Sequence, residues 1–430
     1  MTMSMPARSF AGADAAPLPG ARRGPVLTSL RGAKDLPRWF GAVFDTVSGL
    51  RRGRVRFTLP DGRVFAAEGR EAGPDAEVLV RDARLFARMI RDGEMGFAEG
   101  YLDGWWDTPD LQAVLDLALL NNESVSRRFG GAALVRAALR LRHWMNRNTK
   151  AQARRNIAAH YDLGNDFYAL WLDRSMTYSS ALFRDGGAGA GETMEEGQAS
   201  KYAALLDAMN PPAGGHVLEI GCGWGGFAEY AAKARGLKVT ALTISKEQHD
   251  FAAARMQREG LSEQVEIVMR DYRDETGSYD GIGSIEMFEA VGERYWPAYF
   301  SAVHDRLRPG ARATIQSITI ADPLFDGYRK GVDFVQKYIF PGGMLPSPTR
   351  FREQAGAAGL LLDGSVEFGA SYAETLRRWR ATFNARWDEI EPMGFDDRFR
   401  RMWDFYLASC AACFMAGTTD VSQFTLSRPG

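Results

Sequence analysis

The stretch HVLEIGCGWGGFAEY, residues 216–230, restricts what this chain can fold into more than any other. Val217 to Ile220 read as a buried strand interrupted only by Glu219. Gly221, Gly223, Gly225 and Gly226 follow as a turn, where larger side chains would hold a ligand away from the backbone. Residues 224–235 then open a helix whose free N–H groups and positive dipole end face the same point. Strand, glycine turn and helix in that order make a cradle for a nucleotide-like ligand.

The neighbouring residues narrow the choice of ligand. Gly221, Gly223 and Gly226 satisfy the dinucleotide pattern GxGxxG, which is weak on its own. Glu219, two residues earlier, places a carboxylate at the strand end where a cationic amino-acid group could bind. The next expected strand, 237–244, leads into Thr243, Ile244 and Ser245, without the acid that a nicotinamide dinucleotide's ribose requires. The pattern therefore resembles the S-adenosylmethionine site of a class I methyltransferase. A tight turn with no ligand is the bland alternative, and four glycines in six positions count against it.

The 430 residues are enough for two or three domains with their own cores. A net charge of −1 gives no overall field for nucleic acid. Cys222, Cys410 and Cys413 do not form a disulfide framework, which fits a reducing cytoplasm. The histidines at 143, 160, 216, 249 and 304 lack metal-ligand spacing, so no metal is expected. No apolar run reaches the ~18 residues of a membrane span. Lipid contact is therefore expected from the cytoplasmic side, peripherally at the inner membrane surface.

In chain order, 1–30 reads as a disordered tail rich in proline and glycine. Residues 31–125 read as a small domain with a hairpin at 54–69, turning at Pro60-Asp61-Gly62, and helices at 82–91 and 109–120. Trp105 and Trp106 favour core or interdomain packing over a ligand platform. Residues 126–156 form a basic linker. The wider stretch 124–161 holds eight arginines and Lys150 without one acid, and Arg136, Arg140, His143 and Arg147 fall at helical spacing. Such a helix suits an anionic membrane surface, and equally a solvated face between domains. Residues 157–430 alternate strands, at 216–220, 237–244, 265–270, 279–286 and 311–320, with helices. That alternation implies an α/β doubly wound, mostly parallel sheet.

Several blocks then point to one family. NIAAHYDLGNDFYALWLDRSMTYSSALF (156–183), VLEIGCGWGG, LTISKEQ (242–248), MFEAVG (287–292) and YIFPGGMLPS (338–347) resemble the cyclopropane-fatty-acyl-phospholipid synthases. That family includes the mycolic acid cyclopropane synthases and methyl-branching relatives, and GFAEGYLDGWWD (96–107) extends the likeness toward the N-terminus. The resemblance implies a class I methyltransferase sheet of seven strands, S-adenosylmethionine as cofactor, and methylation of a cis double bond in a phospholipid acyl chain. By similarity Tyr178 and Ser179 contact the cofactor's methionine end with Gly221 and Gly223 beneath it, Thr243 and Gln248 hold its ribose region, and Asp271 with Tyr272 its adenine; Glu219 and Gly225 of the glycine turn complete the cofactor candidates. His160, Tyr161, Asn165, Phe288, Tyr338 and Phe340 are the substrate-side candidates, with Phe183 a further candidate for the aromatic lining. A homodimer is implied by analogy.

In the family, the proton lost after methyl transfer is taken by a bound bicarbonate, held by a cysteine main chain and by Glu, His and Tyr side chains. Glu289 and Tyr372 match, and Cys410 matches a further cysteine of the bacterial synthases. Ser180, however, stands in place of the cysteine, Gln316 in place of the histidine, and Ala290 follows the glutamate. Gln316 can donate a hydrogen bond to an anion but cannot titrate. Three outcomes stay open: weaker bicarbonate binding, Glu289 as the base, or loss of a different proton to give a methylene group for a partner reductase. A small-molecule methyltransferase and a non-catalytic lipid-binding protein are the alternatives of other classes.

Overall fold

Among the described residues, two sheets carry the fold. The computed structural model describes residues 25–122, 163–187 and 191–430. The first sheet contains β1 (Val26–Leu27), β2 (Arg52–Thr58), β3 (Val64–Glu68), β4 (Glu71–Val80) and β5 (Trp106–Asp107), in the order β1-β3-β2-β4-β5. In β2 the period of two turns Val55 and Phe57 inward. The expected hairpin is present: β2 and β3 pair antiparallel, and Gly62 at φ +86° closes the turn. The helix Leu111–Leu120 starts where the Asp110 carboxylate accepts from the Ala113 N–H at 3.0 Å. Trp106 is fully buried and donates to the Phe97 carbonyl at 2.8 Å.

One expectation is corrected at this end. Val26 and Leu27 fall within the stretch read as a disordered tail, yet they pair in parallel with Val64 and Phe65 as an edge strand. The gain is satisfaction of backbone groups along β3. The basic helix with Arg136, Arg140, His143 and Arg147, and the candidates His160 and Tyr161, lie outside the described residues.

The second sheet contains β6 (His216–Ile220), β7 (Lys238–Thr243), β8 (Val265–Met269), β9 (Tyr279–Ile285), β10 (Leu307–Ile320), β11 (Leu361–Glu367) and β12 (Thr419–Ser427). Their order is β11-β12-β10-β9-β6-β7-β8. β12 runs antiparallel to both neighbours, and the other pairs are parallel. This is the mostly parallel seven-stranded sheet of a class I methyltransferase, and the order reverses beside β6, where such sheets bind ligands. β11 and β12 are absent from the strands read off the sequence. β11 is exposed throughout, and β12 has a nearly continuous buried run, so neither shows clean apolar alternation.

The helices Gly369–Ala385 and Asp397–Met415 pack together and carry Tyr372 and Cys410 over the sheet. They also hold the first sheet in place. Asp404 accepts from Tyr101 Oη at 3.1 Å and from Arg380 Nε at 2.7 Å, and the Arg401 guanidinium lies 4.0 Å from the Tyr101 ring centre. One apolar core therefore runs from Phe40 and Trp106 to Trp403 and Tyr406.

Candidate active site

The glycine turn opens onto a cavity of about 360 Å³, within the range of small-molecule sites. Gly221 sits at φ +86°, and a Cβ there would come 2.6 Å from Met287 Cγ. Gly223 sits at φ +51° with open space where its Cβ would be, so a ligand can approach that backbone. Gly225 does not face the cavity: its Cβ would meet Ala252 and Met256 at 3.1 and 3.2 Å, and it caps the helix Gly226–Arg235 at φ +84°. That corrects its expected role as a ligand contact.

Glu219 lines the cavity and is 2% exposed, and its Oε2 has no hydrogen-bond partner among the described residues. Burial pushes its pKa up to about 8, against the pull of Lys201 and Arg255. A buried carboxylate oxygen facing a cavity without a donor fits the ammonium group of an amino-acid ligand. Further round the wall, Thr243 Oγ1 donates to Gln248 Oε1 at 2.9 Å. At the end of β8 the Asp271 carboxylate accepts from Arg273 Nε at 2.7 Å and Nη2 at 2.5 Å, with Tyr272 beside it. The expected cofactor residues other than Gly225 thus line one cavity, and they fit S-adenosylmethionine. Arg273, which orients Asp271, was not foreseen.

Tyr178 and Ser179 close the near side. Tyr178 Oη is 2.8 Å from Tyr406 Oη, and Ser179 Oγ accepts from Lys201 Nζ at 2.7 Å. Lys201 is fully buried, and desolvation lowers its pKa to about 7 although Glu286, Asp173 and Glu219 pull it upward.

The expected anion site is occupied by a residue that sequence reasoning missed. Glu286 Oε1 accepts from the Ser180 N–H at 2.8 Å and from Gln316 Nε2 at 2.9 Å, and Oε2 accepts from Tyr372 Oη at 2.5 Å. The Gln316 amide is oriented by Gln423, whose Nε2 donates to Gln316 Oε1 at 3.1 Å. Glu286 has φ +50°, a left-handed conformation costly for a residue with a side chain. Burial raises its pKa, opposed by the Tyr372, Ser180 and Gln316 hydrogen bonds and by Lys201. The Tyr372 phenol is pushed well above its ordinary value by burial and by Glu286, so it acts as a donor.

Glu289 lies apart from this cluster. Its Oε1 accepts from Ser317 Oγ at 3.1 Å and from the Ile318 N–H, while Oε2 has no partner among the described residues. Burial and the charge of Glu286 push its pKa to about 8, and it faces the cavity. Cys410 is reachable from the cavity, but burial keeps its thiol protonated.

Three substrate-side candidates stand elsewhere. Phe288 turns into the core, 4.9 Å from the Tyr299 ring and 5.2 Å from that of Phe300, because its neighbour Glu289 takes the cavity side of the same short turn. Tyr338 donates to Glu99 Oε1 at 2.7 Å, on the helix Glu94–Leu102 beside the first sheet. Asn165 accepts from Trp224 Nε1 at 2.7 Å. Phe183 is likewise outside the cavity wall, beneath the Arg378 guanidinium at 4.3 Å. Phe340 does line the cavity, joined by Leu376, Tyr406 and Phe414.

Known proteins resemble this chain in sequence and fold. The family model for mycolic acid cyclopropane synthetase matches residues 148–424. A tuberculostearic acid methyltransferase of Mycobacterium tuberculosis is 41% identical over 383 residues, covering 87% of this chain and 88% of that one. The cyclopropane-fatty-acyl-phospholipid synthase of Escherichia coli is 34% identical over 365 residues, covering 82% and 88%. Among solved structures, the cyclopropane synthase MmaA2 from Mycobacterium tuberculosis superposes with a TM-score of 0.60 at 28% identity, covering 64% of this chain and 98% of that one. The mycolic acid cyclopropane synthase CmaA1 complexed with SAH and CTAB gives 0.59 at 29% identity, with the same coverage. A glycine turn fitted to S-adenosylmethionine, a class I sheet and these likenesses agree. The chain belongs to the mycolic acid cyclopropane synthetase family and is an S-adenosylmethionine-dependent, lipid-modifying methyltransferase.

Proposed function

We propose that the protein methylates a carbon of a cis double bond in the acyl chain of a membrane phospholipid. The observation that carries this reading is the continuity of the cavity. One wall is the glycine turn with Glu219, and the other is a set of aromatic and apolar side chains, Tyr178, Phe340, Leu376, Tyr406 and Phe414. When bound, S-adenosylmethionine supplies an electrophilic methyl group. An alkene is a weak nucleophile, so the chain must be held in line with that group. The charge left on the acyl carbon is stabilised by aromatic faces and must be kept from water and nucleophiles. The thiols of Cys410 and Cys413 are compatible with this, because burial holds both in the neutral form, Cys413 at about 11.

The altered base site favours a second reading within the same chemistry. Loss of a proton from the transferred methyl can close a cyclopropane, or, after a hydride shift, leave a methylene group that a reductase partner converts to a methyl branch. Among the described residues no helix is long and apolar enough to cross a membrane. Peripheral binding to an anionic membrane surface, through the basic segment, is part of this proposal.

A turnover comparison tests it. Purified protein with S-adenosylmethionine should form S-adenosylhomocysteine on liposomes of unsaturated phospholipid, and at least about 100-fold more slowly on fully saturated liposomes or soluble amines. Equal turnover on saturated lipid, or turnover on amines alone, would contradict it.

A further inference from the structure

Glu286 fills the place where a small anion would bind. Three donors converge on its carboxylate: the Ser180 N–H, the Gln316 amide and the Tyr372 hydroxyl. These are the groups at the positions that, by resemblance, hold bicarbonate. A second anion there would lose those donors and face a carboxylate of the same sign in a buried site. Bicarbonate therefore does not fit this pocket as built.

We propose that the Glu286 side chain is itself the base of the reaction, a carboxylate carried by the chain in place of an external anion. The proposal builds on the acyl methylation described above. In the step, a C–H bond of the transferred methyl breaks. Its electron pair forms the ring bond or the new C=C bond, cancelling the positive charge on the acyl carbon, and the proton goes to a Glu286 carboxylate oxygen. No oxidant or further reactant enters. Glu286 lines the cavity, as this requires. Its backbone supports the assignment, since a glutamate at φ +50° is disfavoured unless its side chain has a use there. The amide chain Gln423 to Gln316 to Glu286 fixes the carboxylate's direction, and buried Lys201 supplies a compensating positive field.

Two variants test this. Glu286→Gly suits the left-handed backbone and opens the anion pocket, whereas Glu286→Gln keeps the volume without a base. The wild-type enzyme should keep its rate in buffer freed of carbon dioxide. Both variants should lose at least about 100-fold there, with affinity for S-adenosylhomocysteine unchanged by calorimetry. Added bicarbonate should restore turnover to the Glu286→Gly enzyme alone. Independently of turnover, the ¹³C resonance of labelled bicarbonate should broaden with that variant and not with wild type.

A wild-type enzyme that stops when carbon dioxide is removed overturns the proposal. So does a Glu286→Gly enzyme that keeps its rate there, a loss in both variants traced to weaker S-adenosylhomocysteine binding, or equal bicarbonate binding by wild type and the glycine variant. A wild-type protein that methylates no acyl chain would instead refute the proposed function, and the bicarbonate signal would still report on the pocket.

Discussion

Replacing Glu219 with glutamine should weaken S-adenosylmethionine binding by about 10- to 100-fold, the worth of a charge-assisted hydrogen bond in a buried site. The expectation comes from the Glu219 Oε2 atom, which is buried at the cavity wall with no donor among the described residues. A bound ammonium group would supply that donor. The pH dependence has a definite sign. In the free protein burial holds the Glu219 pKa at about 8, so the carboxyl is largely protonated at neutral pH. A cation binds the ionised form, so wild-type affinity should rise as pH approaches 8, and binding should release a proton. The Glu219→Gln enzyme should show neither effect. Calorimetry in buffers of different ionisation enthalpy measures both, and an unchanged affinity would remove Glu219 from the ligand site.

The Glu289→Gln protein should gain stability relative to wild type as pH rises. An unfolded glutamate titrates near 4.5, and burial with the neighbouring Glu286 charge holds folded Glu289 at about 8. Between those values the folded state keeps a proton that the unfolded chain has lost, so wild-type stability falls as pH rises and the cost is complete above about 8. Its ceiling is about 5 kcal/mol. Glutamine matches the shape of the protonated acid, can accept from Ser317 and Ile318 in the same way, and has no proton to lose. Urea unfolding of the cofactor-free proteins should give nearly equal stabilities at pH 5 and a variant more stable by several kcal/mol at pH 9. A variant no more stable than wild type at pH 9 would mean that Glu289 ionises without penalty.

The cofactor half of the site was legible because its signal is local. Gly221, Gly223 and Glu219 lie within five residues of each other, on a strand and turn whose shape follows from their own backbone freedom. Asp271 could be found because acids at strand ends fall on the ligand edge of such sheets. The base site was not legible in the same way. It joins Ser180, Glu286, Gln316 and Tyr372, which come together only through the sheet and the helix Gly369–Ala385. The changes at Ser180 and Gln316 were visible singly. Glu286, directly before MFEAVG, was the residue that made sense of them, and only the fold shows what its side chain touches. Aromatic residues were the least legible: Phe340 faces the cavity, while Phe288 and Tyr338 meet the core and the N-terminal sheet. Composition does not distinguish a cavity wall from ordinary packing.

The destination of the methyl group tests the central claim most directly. With S-adenosylmethionine labelled by ¹³C in its methyl group and liposomes of a monounsaturated phospholipid, the labelled carbon should appear bonded to a former double-bond carbon of the acyl chain. Carbon NMR of the extracted lipid would show it as a cyclopropane CH₂ or as a methylene group. Label found on head-group nitrogen or oxygen, with the acyl double bond intact, would contradict the account.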